Sequence, residues 1–234
     1  MKHVLADIQL EPLAENAWLL RFGETIDAAV NARVHAAARR LQEQLPEVEC
    51  VPAYASLLLR FDEAASRSMD AWRNVITEAL IDAPADADIT RELTLPVWYG
   101  GEAGIDLVDV AAHAQLTPDE VVRRHTAATY RVAMLGFAPG FPYLLGLDSV
   151  LAMPRRSSPR THVPAGSVAI GGLQTGIYPQ ALPGGWQLIG RTPVRLFDLS
   201  ASSPSLLQPG DQVRFRAIDE HEYHRLTAEA GASA

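Results

Sequence analysis

The sequence has little of two residue types on which many functional sites depend. Cys50 is its one cysteine, which excludes an internal disulfide framework and metal clusters held by several thiolates. Lys2 is its one lysine, beside 19 arginines, so a Walker-type phosphate loop, which needs an internal lysine, is excluded. Schiff-base and lysine-nucleophile chemistry are disfavoured for the same reason. Phosphate recognition would therefore need arginine, backbone amides or another subunit.

Long apolar segments are also missing. No apolar run approaches the ~18 residues of a membrane span, and "MKHVLADIQLEPL" lacks the uninterrupted apolar core of a signal peptide. We therefore expect a cytoplasmic protein with no membrane partner. The 234 residues suffice for one large domain or two small ones, with 48% hydrophobic and 21% charged residues, as in globular proteins. The formal net charge of −8 argues against nucleic acid as a partner.

Acidic residues are scarce in one part of this acidic chain. Between Arg131 and Arg195 there are six arginines and one acid, Asp148, so this stretch carries a net charge of +5 and the remainder −13. A locally basic patch indicates a small anionic ligand or an acidic partner surface. The alternative is that these arginines face acids from elsewhere in the fold.

The N-terminal part contains a repeat, because "LLRFGE" (Leu19–Glu24) recurs as "LLRFDE" (Leu58–Glu63). Each copy ends an apolar run typical of a strand, and a helical pattern follows it. After the first copy, apolar residues spaced by three and four predict one helix face, formed by Val30, Val34, Ala37, Leu41 and Leu45. After the second copy the pattern recurs at Met69, Trp72, Ile76 and Leu80, with Ser68 placed to cap the helix.

Further strand candidates complete this half. They lie at Val4–Leu10, at Val48–Pro52 and, after the second helix, at "RELTLPVWY". From the second strand onward the order reads βαββαβ, which predicts a ferredoxin-like domain. The stretch Ile81–Leu93, rich in Ala, Asp and Pro, marks the domain boundary, so we predict domains at residues 1–88 and 89–234.

The second half has a different texture. Thr117 and Glu120 form a capping box with Pro118 at the first helical position, which predicts a helix to about His125. From Tyr130 onward, short apolar runs alternate with glycine and proline, which predicts a closed or nearly closed β-barrel. In "DQVRFRAI", Val213 and Phe215 point one way and the two arginines the other. The fold class is therefore α+β.

The stretch "GFAPGFPY" (Gly136–Tyr143) raises the question of function. Proline fixes φ and removes a backbone donor, so this stretch cannot be an ordinary central strand or a helix interior. It nevertheless displays aromatic side chains that a solvated loop does not require. We interpret it as a stiff apolar loop with five ligand-site candidates: Phe137, Pro139, Gly140, Phe141 and Tyr143.

Two further segments, Ser158–Pro179 and Leu182–Pro193, carry the remaining loop candidates. Glycine lets a ligand approach the main chain, and successive amides near residues 165–167 and 171–172 can hold an anion. An amide side chain can read a lactam edge, and arginines can bind carboxylate or phosphate. Alternatively, the glycines serve barrel corners and tight turns. The candidates here are Arg160, Pro164, Gly166, Ser167, Gln174, Tyr178, Trp186 and Arg191.

A complete catalytic set is not evident. Asp148 is the only acid near these loops, and "PAGSVAIGG" is not a nucleophile elbow. His113, His125 and His162 do not have metal-ligand spacing, so we expect no metal. His125 remains a ligand candidate, although a histidine at a helix end is more often structural. Binding character without a catalytic set is typical of half of a shared active site.

Three segments resemble one bacterial family, variously called allophanate hydrolase subunit 1, the 5-oxoprolinase B subunit and the sporulation-kinase-inhibitor family. They are "YRVAMLGFAPGFPYLLGL", "PRRSSPRTHVPAGSVAIGGLQTGIYPQALPGGWQLIGRTPVRLFDL" and "LLQPGDQVRFRAI". With the stretch that begins at "WYGGEAG", the resemblance covers about Trp98–Ile218. The N-terminal half resembles the family only in its order of elements. The resemblance implies a ferredoxin-like N-terminal domain and a cyclophilin-like β-barrel C-terminal domain.

The resemblance also implies an activity and partners. The expected function is that of the B subunit in an ATP-dependent 5-oxoprolinase, which opens 5-oxo-L-proline to L-glutamate. It would work with a second subunit of the same family type, the C subunit, and with a third, the A subunit. The chain would be inactive alone, and ATP would act at the level of the complex.

Two alternatives remain open. One is a regulatory protein that inhibits a histidine kinase, and the other is a subunit that processes allophanate or urea-derived amides. In the leading interpretation the Gly136–Tyr143 loop would be a rigid wall that meets the barrel pocket and the partner subunit.

Overall fold

The computed structural model describes residues 8–61, 69–80 and 91–232. Its Cα positions separate into two compact units, residues 1–88 and 89–234. Three sequence predictions fall wholly or partly outside the described residues: the strand at Val4–Leu10, the cap at Ser68 and the boundary in Ile81–Leu93. The boundary therefore stays a prediction.

The first unit holds an antiparallel four-stranded sheet and two helices. Its elements are β1 (Gln9–Ala14), β2 (Ala17–Arg21), α1 (Ala28–Gln44), β3 (Glu49–Pro52), β4 (Ser56–Arg60) and α2 (Met69–Leu80). The strands lie in the order β1-β2-β4-β3. The two strands that run into the copies of the sequence repeat are therefore neighbours, with Leu19 opposite Leu58.

The helical patterns of this unit bury most of the residues that they were expected to bury. Val30 is partly buried, and the side chain of Met69 lies outside the described residues. Asp27 caps α1 by accepting hydrogen bonds from the amides of Ala29 and Val30. The core combines side chains of both helices with alternate residues of β2 and β4, among them Trp18, Leu20, Val34, Leu41, Leu57, Leu59, Trp72 and Ile76. Both predicted helices are thus confirmed over the described residues.

The second unit is built around a closed barrel of seven strands. In chain order its elements are β5 (Glu92–Tyr99), α3 (Leu107–Ala114), α4 (Pro118–Ala127), β6 (Thr129–Leu135), β7 (Pro142–Leu145), a 3-10 turn (Ser149–Leu151), β8 (Arg160–Val163), β9 (Ser167–Gly171), β10 (Gln174–Ile177), β11 (Leu182–Gly184), β12 (Gln187–Arg191), β13 (Gln212–Ile218) and α5 (Glu220–Ala232). Around the barrel the order is β10-β7-β6-β13-β5-β12-β9, and β8 pairs with β11 in a separate ribbon. The predicted closed barrel is confirmed.

The predicted start of α4 and the alternation of β13 are also confirmed. Thr117 Oγ1 accepts from the amide of Glu120 at 3.2 Å, and Pro118 begins α4, which runs to Ala127. The Glu120 carboxylate accepts from Arg123 and Arg124, so the structure shows the Thr117 half of the capping box. Along β13, Val213 and Phe215 are buried while Arg214 and Arg216 are exposed. Alternation along a strand separates core from solvent because successive side chains point to opposite faces.

One strand was placed in the wrong sheet by the sequence pattern. The prediction that "RELTLPVWY" completes the βαββαβ order of the first domain is wrong, because β5 pairs in parallel with β13 and antiparallel with β12 in the barrel. Its inward residues Leu95 and Val97 belong to the barrel core. In the first unit, β1 takes the sheet edge beside β2 instead. Alternation identifies a half-buried strand without specifying the sheet that it joins.

None of the helices in residues 8–61, 69–80 and 91–232 has the length and apolarity needed to cross a membrane.

His125 lies inside the core of the second unit. Its side chain is fully buried, with Nδ1 2.7 Å from Tyr99 Oη and Nε2 3.1 Å from Thr175 Oγ1. Its ring stacks on Phe215 at a centroid distance of 4.7 Å. Burial lowers the pKa of His125 from 6.5 to about 3, because the charged imidazolium would lose its hydration. The residue is therefore a neutral link between α4 and the barrel strands.

This burial predicts a pH-dependent stability. In the folded protein the pKa of His125 is about 3, whereas the unfolded chain takes up the proton near pH 6.5. Between these values the unfolded state binds more protons, so the free energy of unfolding falls as the pH drops, by up to about 1.4 kcal/mol per pH unit from this residue. Urea unfolding of the wild type and of His125→Gln between pH 4 and 7 measures it.

The difference in free energy of unfolding between the two proteins is expected to shrink below pH 6.5, because only the wild type carries this histidine. His162→Gln is the matched control, since His162 is exposed on β8, and should leave the pH dependence unchanged. Parallel pH profiles for wild type and His125→Gln would contradict the prediction.

Candidate functional site

An aromatic cavity of about 290 Å³ lies in the second unit. The Gly136–Tyr143 loop forms one part of its lining, and the segment that includes β11 and Trp186 forms another. Five of the residues proposed from sequence meet there: Phe137, Phe141, Tyr143, Tyr178 and Trp186. We refer to this site as the aromatic cavity.

The aromatic rings of this cavity pack edge to face. Phe141 stands nearly perpendicular to Tyr178 and to Trp186, at centroid distances of 5.2 and 5.7 Å. The Trp186 ring lies against the backbone of Gly171, where a Cβ would come within 2.6 Å of ring carbons. Glycine is therefore required at position 171, because a residue without a side chain lets the Trp186 indole lie on β9. Edge-to-face pairs are favourable because the positive ring edge meets the negative ring face.

Two consecutive turns shape the Gly136–Tyr143 loop. The Ala138 amide donates to Gly136 O at 2.8 Å, which closes a γ-turn around Phe137, whose φ is 67°. The Phe141 amide then donates to Ala138 O at 3.0 Å around Pro139 and Gly140. A type II turn has proline at its second position and a glycine with positive φ at its third, as here, where the φ of Gly140 is 78°. These bonds make the loop rigid without helix or sheet pairing.

Phe137 is unusual in both conformation and exposure. A positive φ is uncommon for residues other than glycine and costs conformational energy, so it persists where the surroundings enforce it and is frequent at functional sites. The Phe137 side chain is nevertheless 62% exposed, and its ring stands perpendicular to that of Phe141 at 5.4 Å. The loop therefore holds an apolar ring in solvent at the edge of the aromatic cavity.

Arginines supply the positive charge of the aromatic cavity. The guanidinium of Arg155 lies 5.5 Å from the centroid of the Trp186 ring, a cation–π geometry. Arg156 also lines the cavity, and its guanidinium lies 3.6 Å from the Asp106 carboxylate. Burial raises the pKa of Tyr178, while a hydrogen bond from the Trp186 amide and the charges of Arg155 and Arg160 oppose the rise. The Tyr178 hydroxyl therefore lies within the field of these arginines.

The buried carboxylate of Asp106 holds part of this arginine cluster in place. Asp106 Oδ1 accepts from Arg160 Nη2 at 2.6 Å, and Oδ2 accepts from the Leu188 amide at 2.7 Å. Asp106 precedes α3, but its side chain makes no capping hydrogen bond to that helix. Its carboxylate instead joins the start of α3 to β8 and β12.

Sequence reasoning missed Asp106, Arg155 and Arg156 as site residues. Asp106 lies 54 residues before Arg160 and 82 before Leu188, so no local pattern links them. An aspartate before an apolar helix predicts a cap, and that signal would have pointed to the wrong role here. The basic stretch Arg131–Arg195 does contain both arginines, but the sequence does not show where they lie in the fold.

The remaining candidates do not line the aromatic cavity. Pro139 and Gly140 lie in the loop next to its lining residues, and Arg160 lies behind it on Asp106. Gln174 is buried on β10, where its Oε1 has no hydrogen-bond partner among the described residues. His125 lies in the barrel core.

The Pro164–Ser167 stretch is occupied by its own hydrogen bonds. The Gly166 amide donates to Tyr178 O and the Ser167 amide to Pro164 O, so these amides are not available to hold an anion. Arg191 Nε donates to Ala165 O at 2.8 Å and stabilises the same turn. Gly166, whose φ is 80°, therefore serves a tight turn, which was the alternative to an anion-binding role.

A second cavity, of about 720 Å³, is present in the same unit. Ala165, Pro179, Arg195, Phe197 and Leu199 are among its lining residues. Gly140 packs against Phe197, where a Cβ would approach the Phe197 Cβ to 2.8 Å, so the Gly136–Tyr143 loop contacts this lining as well. Across the described ranges no group of three His, Cys, Asp or Glu residues could hold a metal ion.

Replacing Asp106 tests the support of the aromatic cavity. Asp106→Asn leaves Arg160 partly buried without its carboxylate, so we expect the free energy of unfolding to fall by about 3 kcal/mol, since breaking a buried ion pair is costly. Asp109→Asn, on the exposed face of the same helix, should change it by less than about 0.5 kcal/mol. Urea denaturation of the three proteins measures both, and equal stability of the two variants would refute the role of Asp106.

Comparison with known proteins gives the family. Residues 8–207 match the carboxyltransferase domain family, subdomains C and D. The chain is 45% identical over 234 residues to the 5-oxoprolinase B subunit of Bacillus subtilis (strain 168), covering 95% of this chain and 98% of the relative. It is 42% identical over 203 residues to the 5-oxoprolinase B subunit of Escherichia coli O157:H7, covering 87% and 93%.

Two solved structures share the fold. TTHA0988 superposes with a TM-score of 0.76 at 38% identity, covering 87% of this chain and 40% of that longer chain. The urea amidolyase of Kluyveromyces lactis, at 22% identity, superposes with a TM-score of 0.74 over 95% of this chain and 15% of its own length. Because the family match spans most of the chain, this protein belongs to the carboxyltransferase domain family, subdomains C and D.

Proposed function

We propose that this chain is the B subunit of a 5-oxoprolinase complex, which hydrolyses 5-oxo-L-proline to L-glutamate. The observation that carries the proposal is the aromatic cavity, whose rings and arginines suit a small flat molecule with one negative charge. 5-Oxo-L-proline, a five-membered lactam with one carboxylate, is such a molecule. Identity of 45% along a protein named as a 5-oxoprolinase B subunit supports the same function.

The catalytic step requires more than this chain. A lactam is stable, so transfer of the γ-phosphoryl group of ATP to the lactam oxygen, with release of ADP, would provide the driving force. Attack of water on the ring carbon and cleavage of the C–N bond would then give the amine and an acyl phosphate, and a second water would release the acyl phosphate as carboxylate and inorganic phosphate. The aromatic cavity is lined by arginines, aromatic residues, prolines and glycines, none of which is a ready general base at neutral pH. ATP binding and the general base would therefore come from the complex, and this chain alone would be inactive.

Partner subunits follow from the same reasoning. We propose a second subunit of the same family type, the C subunit, and a third, the A subunit. The part of TTHA0988 that matches is 40% of that longer chain. This supports the proposal that the present chain works together with further domains or subunits. The exposed ring of Phe137, on a rigid loop, is the proposed contact with the partner subunit.

The finer fold assignments are proposals of the same kind. The first unit would be ferredoxin-like. In a ferredoxin-like βαββαβ domain the last strand lies at the sheet edge beside the first strand, and here β1 lies at that edge, beside β2. The barrel would be cyclophilin-like. Both follow from the resemblance, and strand order and closure support them.

Reconstitution tests the proposed function. We expect ADP release driven by 5-oxo-L-proline only when this chain and the two candidate partner subunits are all present. Allophanate in place of 5-oxo-L-proline tests the urea-derived alternative. A stable complex without turnover of 5-oxo-L-proline would refute the proposal, and inhibition of a histidine kinase by the chain would favour the regulatory alternative.

Replacing Phe137 tests the partner contact. Phe137→Ser removes an exposed ring, so it should leave the unfolding temperature near that of the wild type while weakening partner binding at least tenfold. Binding is measured by calorimetry without substrate, which separates this effect from one on the aromatic cavity. Leu173→Ser is the matched control, since Leu173 is 57% exposed elsewhere on the same unit. Equal affinity of both variants and the wild type would exclude the contact.

A further inference from the structure

We infer that Arg155 binds the carboxylate of the ligand in the aromatic cavity, while the ligand's ring lies among the rings of Phe141, Tyr143 and Trp186. The class of ligand is a small ring with a single carboxylate. The choice of 5-oxo-L-proline as that ligand rests on the proposed function. Three observations carry the inference: the pairing of the neighbouring arginines with Asp106, the anchored main chain on both sides of Arg155, and two tyrosine hydroxyls close to its charge.

The charge balance singles out Arg155. Arg160 is paired with Asp106 at 2.6 Å, and Arg156 approaches the same carboxylate at 3.6 Å. Arg155 lies in contact with Trp186 and has no carboxylate partner within the part of the chain that the structure describes. Arg156 and Arg160 thus share the Asp106 carboxylate, and Arg155 leaves the cavity with a positive charge that an anionic ligand can neutralise.

The main chain on both sides of Arg155 is anchored. Gln187 Nε2 donates to Pro154 O at 2.9 Å, and the Arg156 amide donates to Gly185 O at 2.7 Å. Gly185 and Gln187 flank Trp186, so the backbone of Arg155 is held beside the indole that its guanidinium covers. A guanidinium that is already oriented loses less conformational entropy when it binds an anion.

Two phenol groups lie within the field of the same guanidinium. The charge of Arg155 acts on Tyr143 and on Tyr178, opposing the rise of the pKa that burial causes in each. Because burial outweighs these charges and raises each pKa above its ordinary value, both hydroxyls keep their protons at neutral pH. Tyr178 lines the aromatic cavity, so its hydroxyl can donate a hydrogen bond to a ligand oxygen. One arginine with a phenol donor matches a carboxylate.

The walls of the aromatic cavity favour a ring over an open chain. Phe141 and Trp186 meet at 89°, and Tyr143 and Trp186 at 68°. These faces provide a corner that a flat ring can contact on two sides, which buries apolar surface at little conformational cost. Phosphate lacks the apolar part that such walls would contact.

Kinetics of the reconstituted complex test the inference. Arg155→Gln should raise KM for 5-oxo-L-proline at least tenfold while changing kcat less, because the arginine binds the carboxylate and not the reacting lactam carbon. Arg195→Gln is the control, since Arg195 lines the second cavity and is largely exposed, and it should change neither constant. Unchanged KM in an active Arg155→Gln complex would overturn the inference and leave the proposed function intact.

Direct binding to the full chain keeps the two hypotheses distinguishable. By calorimetry, the wild type should bind 5-oxo-L-proline at least tenfold more tightly than 2-pyrrolidinone, which lacks the carboxylate, and Arg155→Gln should abolish that difference. If the complex fails to hydrolyse 5-oxo-L-proline, the same titration with pyrrole-2-carboxylate decides: binding that depends on Arg155 sustains the inference without the function. Binding of inorganic phosphate alone, or of no carboxylate, overturns it.

Discussion

Asp106 accepts hydrogen bonds from the Arg160 guanidinium and from the Leu188 amide while standing at the start of a helix. A carboxylate removed from water needs such partners, because an uncompensated buried charge is costly. By satisfying Asp106, the fold brings the β8 ribbon, the β12 strand and the α3 start together. The segment that carries Arg155 and Arg156 is held against the same strand. Asp106 therefore holds the guanidinium groups of Arg156 and Arg160 beside the aromatic cavity.

The aromatic side of the site depends on backbone geometry instead. Trp186 can lie against β9 because residue 171 has no side chain, and Phe137 is held outward by a γ-turn followed by a proline–glycine turn. The glycines and prolines of the motif therefore determine where large rings can be placed. Ring walls and an arginine over one of them form a site suited to binding, and its lining residues offer no general base. This division agrees with a chain that contributes recognition to a larger complex.

Much of the architecture could be predicted because it follows from local periodicity. The helix faces of α1 and α2, the start of α4, the alternation of β13 and the closed barrel were all readable from spacing and turn residues. The assignment of β5 failed, because alternation is the same in any sheet and β5 pairs with strands more than 80 residues away. Among the site candidates, Phe137, Phe141 and Tyr143 were found because aromatic side chains in a proline–glycine loop are unusual, whereas Tyr178 and Trp186 were found as aromatic residues of the two later glycine-rich segments. Gly166 was chosen because glycine lets a ligand approach the main chain, and Arg191 because arginine binds anions, but both residues stabilise a turn.

The sequence by itself determined helices α1, α2 and α4, the alternation of β13, the rigid loop and the classes of chemistry that one cysteine and one lysine leave possible. These properties depend on residues close together in the chain, where spacing and φ preference act directly. Tertiary structure decided which sheet β5 joined, that His125 became a buried neutral core residue, and that Asp106 paired with two arginines of the basic patch and left Arg155 without a carboxylate partner among the described residues. Charge pairing and burial depend on distances in space between residues far apart in the chain, so only the folded molecule could establish them.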